Sequence, residues 1–284
     1  MNPQTPIIAL IGPGNMAEAI ISGILRHGLT TPANLRTSGP RAERGAELKQ
    51  RYGIQPYTDN AQAVEAAEVV ILSVKPQRLE KVLAGLKEHI PAEAVVLSIV
   101  AGASLQMLRE GLGHTLIVRS MPNTPAQIGE GITLWIASDE VDETRLAIAR
   151  SILGALGEEI QVEEESYLDM ATALSGTGPA YVFLFMEALI DSGVHLGFPR
   201  RIAEQLVVQT LRGSVDYYSS RKEHIARLRN EVTSPGGTSA EALYYLEKAG
   251  FRTALSRAVW AAYERSQELG KGKPTHPPVS NQES

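Results

Sequence analysis

Three short stretches combine glycine with groups able to bind an anion. The first is Gly12-Pro13-Gly14-Asn15-Met16-Ala17, a G-x-G-x-x-A pattern. The others are Leu174 to Tyr181 and Val232 to Ser239, where Gly and Pro mix with Ser and Thr just ahead of an apolar segment. In the first, Gly12 permits a sharp turn, Gly14 lets the backbone approach a pyrophosphate, and Ala17 lets a helix pack closely on a strand. Free N–H groups and the positive dipole end at a helix start suit phosphate or carboxylate. The same holds for Ser234, Gly237, Thr238 and Ser239, although Thr238 with Glu241 also fits a capping box. Acid–base and metal chemistry have little to use. His27, His89, His114, His195, His224 and His276 are scattered, cysteine is absent, and no His/Asp/Glu set has ligand spacing, so no metal is expected.

These residues need elements to position them. Ile7 to Ile11 reads as a buried parallel strand, and Ala17, Ile20, Ile21, Ile24 and Leu25 recur at helical spacing. Strand, glycine turn and helix is the context in which the glycine pattern binds a dinucleotide. A second strand follows at 34–40. An acidic residue there would receive the ribose 2′-hydroxyl of NAD. None stands between Asn34 and Ala42; Thr37, Ser38 and Arg41 do, with Arg44 a turn further on. Hydroxyls and a guanidinium suit a 2′-phosphate, which favours NADP(H) and leaves NAD(H) possible.

Helices are expected at 42–51, 61–67 and 143–156, and strands at 53–55, 69–74, 95–100, 116–120, 132–136 and 159–162. Asp59 and Asn60 can cap the second helix. Lys75 ends a strand at the edge where open α/β sheets bind ligands, and Asn123 lies in the loop pinned by Pro122 and Pro125. This alternation predicts an α/β fold, with a Rossmann-type doubly wound sheet over 1–163. Beyond Glu163 only helices are expected: 165–174, 179–196, 200–218, 226–232, 239–248 and 253–269. The segment 179–196 is apolar on most faces and must be buried, so a partner subunit is expected. The residues 164–270 thus form a helical second domain, and 271–284, rich in Gly, Pro, Lys and polar residues, is expected to be disordered.

A net charge of −5 and a pI near 5.8 offer no case for nucleic acid or an anionic membrane. Tyr181 to Ile190, interrupted by Glu187 and followed by Asp191, is too short and charged to span a bilayer. Met1 to Pro6 lacks a basic signal-peptide start. The expectation is a soluble, cytoplasmic protein.

Taken in order, Gly12 to Met16, Val74-Lys75-Pro76, Met121 to Pro125, Leu174 to Tyr181 and Val232 to Ser239 resemble the pyrroline-5-carboxylate reductases, over nearly everything from Ile7 to Leu269. The resemblance implies a Rossmann-type domain followed by an all-helical C-terminal dimerisation domain, in a homodimer or a higher oligomer such as a decamer. It implies hydride transfer from NAD(P)H to the C=N bond of a cyclic imine acid, giving L-proline, in proline biosynthesis. Carried over, Gly12, Gly14, Asn15 and Met16 form the phosphate loop, and Ser38 lies near the adenosine ribose. Asn60, Val74, Lys75 and Ala101 line the cofactor, and Asn123 lies near the nicotinamide. Glu165, Gly237, Thr238 and Ser239 correspond to the substrate pocket, with Ser234 on the same turn. Ser239 is the catalytic candidate; it stands where the family usually has threonine, and Ile225 stands where proline is common. The rivals are another imine reductase or a 3-hydroxyacid dehydrogenase of this architecture, for which Lys222 and Lys248 are the main lysines in the helical part, and a non-catalytic NAD(P)-binding regulator.

Overall fold

The computed structural model describes residues 5–270; the expected disordered tail lies outside them. The chain begins with β1 (Ile8–Ile11), α1 (Asn15–Arg26), β2 (Leu35–Ser38), α2 (Ala42–Tyr52), β3 (Gln55–Tyr57) and α3 (Asn60–Val64). Then come β4 (Val69–Leu72), α4 (Pro76–Leu86), β5 (Val95–Ser98), α5 (Leu105–Leu112) and β6 (Ile117–Met121). β7 (Gly131–Ala137), α6 (Glu143–Gly154) and β8 (Gly157–Gln161) complete one sheet, in the order β3-β2-β1-β4-β5-β6-β7-β8. β6 and β7 pair antiparallel; the other neighbours are parallel.

Alternation along each strand builds two apolar layers. Ile8 and Leu10 face one, with Ile20, Ile21 and Ile24 of α1 and Ile152 and Leu153 of α6. Ala9 and Ile11 face the other, with Val64 of α3, Leu79 and Leu83 of α4 and Leu108 and Leu112 of α5. Helices on both faces explain why β1, β4 and β5 are buried along their whole length.

The helical part consists of α7 (Ser166–Ala171), a π-helical turn (Thr172–Gly176), α8 (Gly178–His195), α9 (Arg200–Arg221), α10 (Ile225–Glu231), α11 (Thr238–Lys248) and α12 (Phe251–Gly270). Two compact units result: residues up to Thr177 with those from Ala262 onward, and Gly178–Ala261. The first unit keeps α7 because the β6 side chain Arg119, 5% exposed, pairs with Glu165 (2.7 Å) and Asp169 (3.0 Å). Ser266 of α12 also donates to Asp169 (3.0 Å).

In the second unit, α8 has no buried residue, and Phe183 and Leu184 are 61% and 67% exposed. The burial expected of 179–196 is therefore not achieved by this chain alone. The helical run Ser166–His195 has 30 residues, long and apolar enough by length and composition to cross a membrane. It outruns the short segment read from the sequence because the turn at Leu174 to Tyr181 does not interrupt the helix. A π-helical turn carries the chain through it, with Thr177 Oγ1 donating to Thr172 O (2.8 Å) and Ser175 Oγ to Ala171 O (3.0 Å). The Ser175 and Thr177 hydroxyls are thus turned back onto carbonyls of the same helical run.

Candidate active site

The phosphate loop follows from local constraint. Gly12 adopts φ +103°, and a Cβ there would lie 2.8 Å from Ser73 O and Val74 Cγ1. Only glycine fits between β1 and the end of β4. Gly12 N–H donates to Ser38 O (2.8 Å), and Ser73 Oγ donates to Gly12 O (2.8 Å). A Cβ on Gly14 would meet nothing within 4 Å, so the backbone borders open space. Gly14 is the N-cap of α1, and Glu18 N–H makes the first helical bond, to Gly14 O (3.0 Å). The N–H groups of Asn15, Met16 and Ala17 precede any helical carbonyl and remain for a ligand. An open backbone beside free donors fits a dinucleotide pyrophosphate.

The other expected cofactor residues share this strand edge. Ser38 ends β2 and donates through Oγ to Asn60 Oδ1 (2.7 Å). Val74 follows β4, Lys75 is the exposed N-cap of α4, and Ala101 follows β5. Asn123 follows β6 and accepts from Ile132 N–H (3.0 Å), which fixes its loop to β7. β1 and β4 are neighbours although β2 and β3 intervene in sequence, so this edge is the topological switch point where such sheets bind ligands. Arg41 is the exposed N-cap residue of α2; its carbonyl accepts from Gly45 N–H (3.4 Å), and its side chain makes no cap bond. Thr37 does not join the group. It is 1% exposed, its Oγ1 has no partner, and it is paired with Leu10, one of the layer residues. Strand alternation sends it to the face opposite Ser38.

Arg44 is not available to a phosphate either. It binds Glu18 Oε2 and Glu47 (3.0 Å), and its Nε donates to Pro13 O (3.1 Å). Burial opposes the charge of Glu18, but hydrogen bonds from Arg44, Tyr52 and Arg51 hold its carboxyl below the ordinary carboxylate value. Arg119 is the residue that reading the sequence missed. Its sign was a lone charged residue in a buried strand. Glu165 Oε1 takes bonds from Arg119 and from Leu105 N–H (2.7 Å), which leaves Oε2 as its other acceptor.

In the second unit, Val232 to Ser239 forms the turn expected, but its capping differs. The N-cap of α11 is Gly237, with no side-chain cap, so the Thr238–Glu241 capping box does not form. Thr238 falls one residue too late, inside the helix. Gly237 N–H closes on Ser234 O (3.0 Å), so it is not the free donor expected of it; the first-turn N–H groups of Thr238, Ser239 and Ala240 are. Ser234 Oγ lies 2.6 Å from where a Gly237 Cβ would stand. The rival lysines lie elsewhere in function: Lys222 caps α9 and Lys248 lies over the Tyr244 ring, 5.6 Å from its centroid.

A largely parallel sheet with a glycine phosphate loop at its switch point, followed by helices, defines a nucleotide-linked oxidoreductase of Rossmann type. Residues 7–102 match a family described as NADP oxidoreductase, coenzyme F420-dependent, and residues 165–269 match pyrroline-5-carboxylate reductase dimerisation. The chain is 42% identical to the pyrroline-5-carboxylate reductase of Synechocystis, over 93% of this chain and 98% of that one. It is 36% identical to the Arabidopsis thaliana enzyme, over 93% and 95%. A Plasmodium falciparum pyrroline carboxylate reductase structure with NADP bound has a TM-score of 0.87 at 32% identity, covering 94% of this chain and 99% of that one. The chain belongs to the pyrroline-5-carboxylate reductase family. It is an NAD(P)H-dependent oxidoreductase acting on the CH–NH group, of proline biosynthesis, with a dimerisation domain and a small-molecule substrate.

Proposed function

We propose that this chain reduces 1-pyrroline-5-carboxylate to L-proline with NADPH preferred over NADH, as a cytoplasmic homodimer able to assemble further. Residues 1–163 serve the coenzyme and 164–270 the substrate and dimerisation. The bound coenzyme supplies the hydride. Asn15, Met16 and Ala17 hold its pyrophosphate through backbone N–H groups, Arg41 takes the 2′-phosphate, Ser38, fully buried, fixes Asn60 beside the adenosine ribose, and Asn60, Val74, Lys75, Ala101 and Asn123 line its length.

The observation that carries the substrate reading is the uncapped start of α11. The N–H groups of Thr238 and Ser239 suit the substrate carboxylate. The Ser239 hydroxyl accepts from the protonated ring nitrogen and holds the imine carbon for attack. Hydride adds to the imine carbon, the C=N π pair moves to nitrogen, and the proton already there remains on the amine. Positioning suffices, since a protonated imine is already electrophilic. Within the first unit, Glu165 keeps Oε2 as an acceptor while Arg119 and Leu105 hold Oε1.

The test is NADPH oxidation with pyrroline-5-carboxylate, with proline identified as product. Turnover with proline formed is expected; coenzyme binding without turnover on any cyclic imine acid would instead indicate a silent regulator.

A further inference from the structure

Arg44 makes a contact that its place near the cofactor does not explain by charge alone. Its guanidinium is held by Glu18 of α1 and by Glu47 (3.0 Å), one helical turn along α2. Its Nε donates to Pro13 O at 3.1 Å. The other end of that peptide group, Gly14 N–H, donates to Gly12 O at 2.8 Å. The Pro13–Gly14 peptide is thus fastened at both its carbonyl and its N–H. Gly39 closes the remaining side, since a Cβ there would stand 2.4 Å from Pro13 Cδ. The peptide leads directly into the N–H groups that open α1. Its orientation therefore decides where those donors point. Arg41, a turn away, is exposed and makes no comparable contact.

We propose that Arg44 is a positioning residue for coenzyme binding. It fixes the Pro13–Gly14 peptide so that the α1 donors are preorganised for the pyrophosphate, and it takes no part in choosing between NADPH and NADH. Pyrophosphate is common to both coenzymes, whereas the 2′-phosphate is not. The two arginines divide the work: Arg44 shapes the loop and Arg41 reads the extra phosphate. This rests on the coenzyme reading above.

The test measures dissociation constants of both coenzymes by calorimetry, independent of turnover. Arg44→Met should weaken NADPH and NADH alike, by about tenfold, the equivalent of one charge-assisted hydrogen bond. The ratio of the two constants, kcat at saturating coenzyme and KM for the imine should not move. Arg41→Ala should weaken NADPH alone. Arg51→Gln, which removes another partner of Glu18 from an exposed position, should leave both constants within about twofold. Selective loss of NADPH in Arg44→Met would make Arg44 a phosphate ligand and overturn the proposal. A lowered melting temperature with unchanged constants would overturn it as well, leaving Arg44 purely structural. If Arg44→Met does not fold, Glu18→Gln decides: a smaller, equal weakening of both coenzymes supports the clamp, and no change or a change in NADPH alone rejects it. A wild-type chain that binds both coenzymes but reduces no imine would reject the reductase reading and leave the clamp standing.

Discussion

A hydroxyl in the first turn of a helix either caps that helix or faces outward, and the two roles respond differently to deletion. Ser239 has no capping bond, because Gly237 occupies the N-cap position. Ser239→Ala should therefore leave the helix intact and lower kcat/KM for the imine by about tenfold to a hundredfold, as expected for one orienting hydrogen bond. Coenzyme affinity should be unaffected. Ser239→Thr should retain activity, since it restores the hydroxyl with the methyl usual in the family. Unchanged kcat/KM in Ser239→Ala would remove the hydroxyl from the mechanism. Residue types were legible here, but their directions were not. Thr37 and Ser38 both read as cofactor hydroxyls, and only the register with β1 reveals that Thr37 faces the opposite way. Likewise Arg41 and Arg44 look equivalent until Glu18, 26 positions before Arg44, takes one of them.

At the scale of elements, the sheet was legible because strands buried on both faces appear as unbroken apolar runs. α4 and α5 were not, although each carries a start signal, Pro76 at the first turn of α4 and Ser104 capping α5. Leu79, Val82, Leu83 and Leu86 in α4 and Leu105, Leu108 and Leu112 in α5 also recur at helical spacing, so the signal was present, in helices of only eleven and eight residues between strong apolar strands. The π-helical turn was hidden for a different reason. Ser, Gly, Thr and Pro at Ser175 to Pro179 are turn residues locally, and the side-chain bonds to Thr172 and Ala171 carbonyls override that preference. Arg119 shows what joins β6 to α7. Its guanidinium is nearly inaccessible and shared by Glu165 and Asp169. Arg119→Met would leave both carboxylates without their cation. Breaking a buried pair from one side costs on the order of 3 kcal/mol. That loss should appear in denaturant unfolding, and Asp169→Asn in the same chain should recover part of it. A loss below about 0.5 kcal/mol would put this network in the class of surface ion pairs.

At the scale of the molecule, the second unit exposes more apolar surface than a free monomer keeps. Phe183, Leu184, Leu206, Val215, Tyr245 and Trp260 are all exposed, and Ala203 is the one residue of α8–α11 counted as buried among those described. Contiguous apolar surface on this scale needs a partner. Two occupants compete: a second copy of the chain, or a lipid bilayer around the Ser166–His195 run. The same residues fall within the matched dimerisation segment, 165–269, which favours the second copy. The chain should therefore run as a homodimer or a multiple of it by light scattering in detergent-free buffer at micromolar concentration. Leu184→Glu places a carboxylate where the partner must pack. An unpaired charge in a desolvated interface costs on the order of 3 kcal/mol, roughly a hundredfold in dissociation constant. The variant should dissociate at low concentration and lose activity with the assembly, regaining it as concentration rises. An active monomer of the wild-type chain, or its recovery only with membranes or detergent, would reject the dimer.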